Sequence, residues 1–236
     1  MRMGFGAMMA GLALAACGSE APAPAPSPTT GSIAEEEALP VTGPPVRILA
    51  FGDSLFAGYN VAEGEGYPAV LQNVLRRRGI DATLVDAAVS GDTTQAALQR
   101  LDYVLANDGA DVDLAIVELG GNDLLRSLPP EVTRRSLDAI LAKFAEKGVP
   151  VLLMGMRAPP NLGADYVGEF DAIYPAMAER HDAALVPFFL EPVYDKPELI
   201  QPDRVHPTAL GIEALVAASA DAVVAALPEE ARAPAD

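Results

Sequence analysis

From Val46 onward, short apolar runs alternate with segments whose apolar residues recur at helical spacing. This alternation leaves few folds open. Five runs read as strands: Val46–Phe51, Ala82–Ala87, Asp113–Leu119, Val151–Gly155 and Ala184–Phe189. Tyr67–Arg78 reads as a helix, with Pro68 in its first turn, Leu71, Val74 and Leu75 on one face, and Arg76-Arg77-Arg78-Gly79 at its end. Thr94–Ala106 follows the same pattern with Leu98, Leu101 and Leu105. A helix after Pro129-Pro130 carries Leu137, Ile140, Leu141 and Phe144 on its buried face. Another covers roughly 164–180, and the last, about Thr208–Leu227, aligns Ile212, Leu215, Val216 and Val223. Strand–helix alternation implies parallel pairing with helices on both faces. The expected fold is α/β, a single three-layer α/β/α sandwich around a five-stranded parallel sheet over residues 46–228, with 229–236 as a disordered tail. Ligands of such sheets bind outside the carboxyl ends of the strands. The loops after the strands are therefore where chemistry is expected.

Composition narrows the partners. The 236 residues carry 16 Lys+Arg against 33 Asp+Glu, a formal charge of −17, so nucleic acid is not an expected partner. One cysteine cannot close an intramolecular disulfide, and one cysteine with two histidines cannot build a multi-Cys/His zinc site.

The first forty-five residues do not follow the α/β pattern. Residues 1–16 are apolar apart from Arg2, too short a stretch for a spanning helix of about 20 residues, and read as a secretory signal. The run ends in Leu14-Ala15-Ala16-Cys17, which resembles the lipobox of bacterial lipoproteins and puts Cys17 at the lipidation position. Gly18 follows, which by the same resemblance suggests the outer membrane. Residues 17–45, with Ala-Pro-Ala-Pro-Ala-Pro at 21–26, read as an extended tether between the lipid and the domain. The expected location is the cell envelope, as an exported, periplasm-facing lipoprotein held on the membrane through Cys17.

Four loops carry candidate chemistry. Gly52-Asp53-Ser54-Leu55 follows the first strand; it reads as a plain turn, or as an exposed serine nucleophile at a strand-to-helix corner. Ser90-Gly91-Asp92-Thr93-Thr94 follows the second; it suits a helix N-cap, or offers the Gly91 N–H with no side chain in the way. Gly120-Gly121-Asn122-Asp123 follows the third, again a turn, or an asparagine amide aimed at a developing negative charge. Asp203-Arg204-Val205-His206-Pro207 follows the fifth after a longer connection. Its acid stands three residues before its imidazole, a spacing that lets the carboxylate fix the tautomer and leave Nε2 as base. The other histidine, His181 in Arg180-His181-Asp182, lies near a helix end and is given no catalytic role.

Together the four segments resemble the SGNH (GDSL) hydrolase family, whose naming residues occur here in order as Ser54, Gly91, Asn122 and His206. The resemblance is closest to the thioesterase I/protease I/lysophospholipase L1 branch and its arylesterase relatives. It extends through Val117–Asp123, Ala172-Ile173-Tyr174-Pro175 and Val186-Pro187-Phe188-Phe189. It implies a flavodoxin-like sheet and a serine esterase with Ser54, Asp203 and His206 catalytic. It also implies an oxyanion hole made by Ser54, Gly91 and Asn122, and no metal or organic cofactor. The substrate it implies is a small acyl ester, in a pocket formed by loops such as Leu124–Leu128 and Ala158–Tyr166. Two alternatives stay open: an envelope polysaccharide or peptidoglycan O-acetylesterase, and a non-catalytic binding lipoprotein on the same fold. Gly66-Tyr67-Pro68 departs from the thioesterase branch, where tryptophan is expected, so a substrate contact at Tyr67 is an open point.

Overall fold

The structure is a computed structural model, and it describes residues 41, 43–109 and 111–232. The signal segment, Cys17 and nearly all of the tether lie outside the described residues.

Five strands form one parallel sheet: β1 (Val46–Gly52), β2 (Ala82–Asp86), β3 (Leu114–Glu118), β4 (Val151–Met154) and β5 (Ala184–Val186). Their order is β2-β1-β3-β4-β5. Every residue of β3 and β4 is buried, as covering on both faces requires. Helices α1 (Tyr67–Arg77) and α7 (Ala209–Ala226) pack together on one face. Helices α2 (Thr94–Ala106), α4 (Pro130–Glu146) and α6 (Ile173–His181) pack in sequence on the other. This is the expected three-layer sandwich, in the flavodoxin-like strand order. The chain reverses its direction of winding between β1 and β3, and a crevice opens at such a reversal. The loops after β1 and β3, with Ser54 and Asn122, flank that point.

Several elements differ from the sequence expectation. The helix expected over 164–180 is two helices, α5 (Ala164–Asp171) and α6. Pro175 explains the break: it has no N–H to offer the Asp171 carbonyl, but it is tolerated in the first turn of a new helix. The loop after β3 contains a short helix, α3 (Gly121–Leu125). Strand β5 stops at Val186 rather than Phe189, because Pro187 cannot donate to the ladder. The expected disordered tail is corrected over its first residues. Helix α8 (Glu229–Arg232) forms there, with Ala231 buried and Arg232 Nε donating to the Leu227 carbonyl at 2.5 Å.

Tyr67 is fully buried. Its ring stacks on Phe56 at 4.5 Å and its hydroxyl lies 2.8 Å from Ser219 Oγ on α7. The open point is settled against a substrate contact: Tyr67 joins α1 to α7 within the core.

Candidate active site

Ser54 sits in the turn that follows β1, with its side chain nearly buried. The turn is held locally, since Asp53 Oδ1 accepts the Leu55 N–H at 3.0 Å and the Asp53 carbonyl accepts the Ala57 N–H at 3.0 Å. Opposite it lies His206, 152 residues away in sequence, with Nε2 2.9 Å from Ser54 Oγ. His206 Nδ1 is 2.8 Å from Asp203 Oδ2. A carboxylate can only accept, so Nδ1 carries the proton and Nε2 is left to accept from the serine hydroxyl. The three side chains form one relay, Asp203–His206–Ser54.

Asp203 is built to stay charged. Desolvation acts to raise its pKa, but the His206 side chain and the backbone N–H groups of Val205 and His206 outweigh it and hold the carboxyl down to about 2. Arg204 takes a left-handed backbone, φ +62°, which turns the chain tightly enough for Asp203 Oδ1 to reach both N–H groups, at 2.9 and 3.0 Å.

The three candidate oxyanion donors, Ser54, Gly91 and Asn122, lie in the segments that follow β1, β2 and β3. Among the described residues, neither the Ser54 nor the Gly91 backbone N–H donates to a protein acceptor. Gly91 has φ +88°, and a Cβ there would be strained by the backbone rather than by its neighbours. Asn122 lies in the first turn of α3, and its Nδ2 donates to Asp53 Oδ2 at 2.9 Å. Only the amide nitrogen can face a carboxylate, so this contact fixes the orientation of the amide and leaves its second N–H free.

Other residues hold these groups in place, and sequence reasoning missed them. Asp123 is fully buried and accepts from Thr94 N (2.9 Å), Thr94 Oγ1 (2.6 Å) and Thr133 Oγ1 (3.0 Å), tying the Asn122 loop to the starts of α2 and α4. Arg100 bonds Asp92 Oδ2 (2.6 Å) and the carbonyls of Ala87 (2.7 Å) and Gly52 (3.2 Å), joining the Gly91 loop to the Ser54 loop. Its guanidinium also covers the Phe51 ring. Gln201 does the same for the histidine loop: its Nε2 donates to the carbonyls of Pro207 and Tyr59, and its Oε1 accepts from Asn60. The Tyr59 ring lies 4.3 Å from the His206 ring. A lone Asp, Arg or Gln at these positions has no local signature. The donor-rich Thr93-Thr94 beside Asp92 was the one usable hint. His181 lies elsewhere, with Nε2 2.7 Å from Asp138 Oδ1 on α4.

A cleft of about 770 Å³ opens beside Ser54. Its walls include Leu124, Leu125 and Ser127 from one expected loop and Ala158–Leu162 from the other. Met156, Phe188, Leu190 and Tyr194 add apolar surface from beyond β4 and β5. A base-activated hydroxyl, three N–H donors and an apolar cleft together suit acyl transfer to and from a serine.

The comparisons with known proteins agree with this geometry. The GDSL-like lipase/acylhydrolase family matches residues 50–214. An arylesterase of Vibrio mimicus is 40% identical over 161 residues, covering 68% of this chain and 80% of that protein. Thioesterase 1/protease 1/lysophospholipase L1 of Escherichia coli K12 is 40% identical over 160 residues, 68% of this chain and 74% of that one. The crystal structure of AlinE4, an SGNH-hydrolase family esterase, superposes with a TM-score of 0.67 at 59% identity, covering 79% of this chain and 99% of that one. Motif order, relay geometry and matched length point the same way: the chain belongs to the GDSL-like lipase/acylhydrolase family of SGNH hydrolases.

Proposed function

We propose that this protein is a serine esterase that hydrolyses short- to medium-chain acyl esters through an acyl-enzyme on Ser54. One observation carries the reading: the continuous Asp203–His206–Ser54 relay opens on an apolar cleft. Ser54 Oγ attacks the ester carbonyl while His206 Nε2 takes its proton. The oxyanion is met by the N–H groups of Ser54 and Gly91 and by the free N–H of Asn122. His206 then gives its proton to the leaving alkoxide. A water, deprotonated by the same nitrogen, releases the acid and restores Ser54. Asp203 stays charged throughout and stabilises the imidazolium.

The apolar walls favour an acyl chain over a glycan. The same cleft accepts thioesters and lysophospholipids as secondary substrates, in line with the name of the Escherichia coli relative. Rates on p-nitrophenyl esters of increasing chain length, set beside acetylated polysaccharide, test this reading. Turnover should rise from acetate to a medium-chain optimum and be weak on the glycan. Preferred release of acetate from the glycan would favour an envelope O-acetylesterase instead. A serine-reactive phosphonate should label Ser54, and failure to label would point to a binding protein.

The lipobox-like Leu14-Ala15-Ala16-Cys17 supports a further part of the proposal, an envelope lipoprotein anchored through Cys17. Metabolic labelling with a fatty-acid analogue should mark the wild type and not Cys17→Ser, and the variant should leave the membrane fraction.

A further inference from the structure

Glu118 ends β3, directly beneath the catalytic loops, and is fully buried. Its register partner on β1 is Gly52, which lacks the side chain that would crowd it: a Cβ on Gly52 would stand 3.1 Å from Glu118 Oε2. Oε2 receives one long hydrogen bond, from the Asp53 N–H at 3.4 Å. Oε1 has no hydrogen-bond partner among the described residues, and no cation pairs with the group. The residue that makes this bond brings a second carboxyl group beside it, since the Asp53 side chain is itself buried.

Two adjacent buried carboxylates cannot both be charged without a cation, so one of them keeps a proton. Asp53 is the better anion, because it accepts from Leu55 N at 3.0 Å and from Asn122 Nδ2 at 2.9 Å. Glu118 has one weak donor and an orphan oxygen. Burial and the neighbouring Asp53 charge both push its pKa well above the ordinary carboxylate range.

We infer that Glu118 is a positioning residue held as the neutral acid, whose O–H donates to the Asp53 carboxylate and so fixes the group that aims Asn122 into the oxyanion hole. The chain of contacts is Glu118 to Asp53 to Asn122. Glu118 touches no substrate. It acts on the transition state, because the Asn122 N–H matters most when charge develops on the carbonyl oxygen. The inference rests on the esterase reading above.

The test compares Glu118→Gln with Glu118→Leu on a p-nitrophenyl ester, with rates normalised to active sites titrated by phosphonate. Gln keeps the shape and a donor for Asp53, so kcat should stay within about three-fold of wild type. Leu removes the donor, and kcat should fall about 10- to 100-fold while KM changes by less than about two-fold. A purely structural role would lower the number of titratable sites and leave kcat per site intact. Infrared difference spectra supply a second readout that needs no substrate. Wild type at neutral pH should show the stretch of a protonated buried carboxyl, and Glu118→Gln should lack it. The inference is overturned if Gln is as defective per site as Leu, if Leu keeps full kcat, or if the protonated-carboxyl band is missing. Failure of wild type to react with ester or phosphonate would instead overturn the esterase reading, while the infrared band would still report the state of Glu118.

Discussion

His206 and His181 are the two histidines of this chain, and each lies against an aspartate, at 2.8 Å from Asp203 and 2.7 Å from Asp138. The carboxylate partner therefore does not separate a base from a structural histidine. Surroundings do. His206 lies at the carboxyl edge of the sheet, with Ser54 Oγ on its other nitrogen and the cleft beside it. His181 ends α6 and pins it to α4, with Arg180 also reaching Asp138 at 3.3 Å. The same contact serves catalysis in one place and packing in the other.

The comparison can be broken by substitution. Ser54→Ala and His206→Ala should have the largest effects, each lowering kcat about 10⁴- to 10⁶-fold in steady-state assays of p-nitrophenyl ester hydrolysis. If His206→Ala were mild and His181→Ala severe, the two roles would have to be exchanged. Asp203→Asn should follow, at about 10³- to 10⁴-fold in kcat, because Nδ1 would lose the charge that fixes its tautomer. Asn122→Ala should cost about 10²- to 10³-fold, mostly in kcat, the loss expected for one oxyanion donor.

His181→Ala should leave kcat within about two-fold. It should lower stability by about 1 kcal/mol through the lost bond to Asp138, a shift in Tm of roughly 2–4 °C in a calorimetric scan. The smallest effect concerns acid stability. The folded pKa of Asp203, about 2, lies below its unfolded value of about 3.9. Its contribution is therefore present above pH ~4 and lost as pH falls towards 2, so wild type and Asp203→Asn should approach each other in Tm over that range. Glu118 has the opposite sign. Its raised folded pKa means that its contribution is present below about pH 4.3 and lost as pH rises. Glu118→Gln should therefore gain in Tm relative to wild type from pH 4 to pH 8, beside an Asp53 whose own pKa is raised by burial.

Much of this is legible in the sequence, because it is local. Strand and helix order follows from hydropathy period, and Thr93 and Thr208 cap α2 and α7 with their own side chains. Asp203 and His206 are close enough in sequence that one tight turn joins them. What was missed is either too short or too distant. Helix α3 has five residues, too few to be stable alone. It persists because Asp123 is held by Thr94 and Thr133, contacts that no local pattern reveals. The break at Ala172 could have been read, since Pro175 stands in plain view within the expected helix.

The site divides the same way. Ser54, Gly91, Asn122, Asp203 and His206 were all identified as candidates from loop position and family resemblance. Arg100, Gln201 and Glu118 were not, because each reaches a partner far along the chain, Gly52, Tyr59 and Asp53 respectively, at separations of 48, 142 and 65 residues. The sequence by itself determined the order of strands, the loops that carry chemistry and the pairing of an acid with its histidine, all of which depend on neighbours along the chain. Only the tertiary structure decided that His206 meets a serine 152 residues away, that His181 meets an aspartate with no such serine beside it, and that two carboxyl groups share one dry site. Those outcomes depend on β1 lying between β2 and β3 and, for the two carboxyl groups, on Asp53 and Glu118 both being buried.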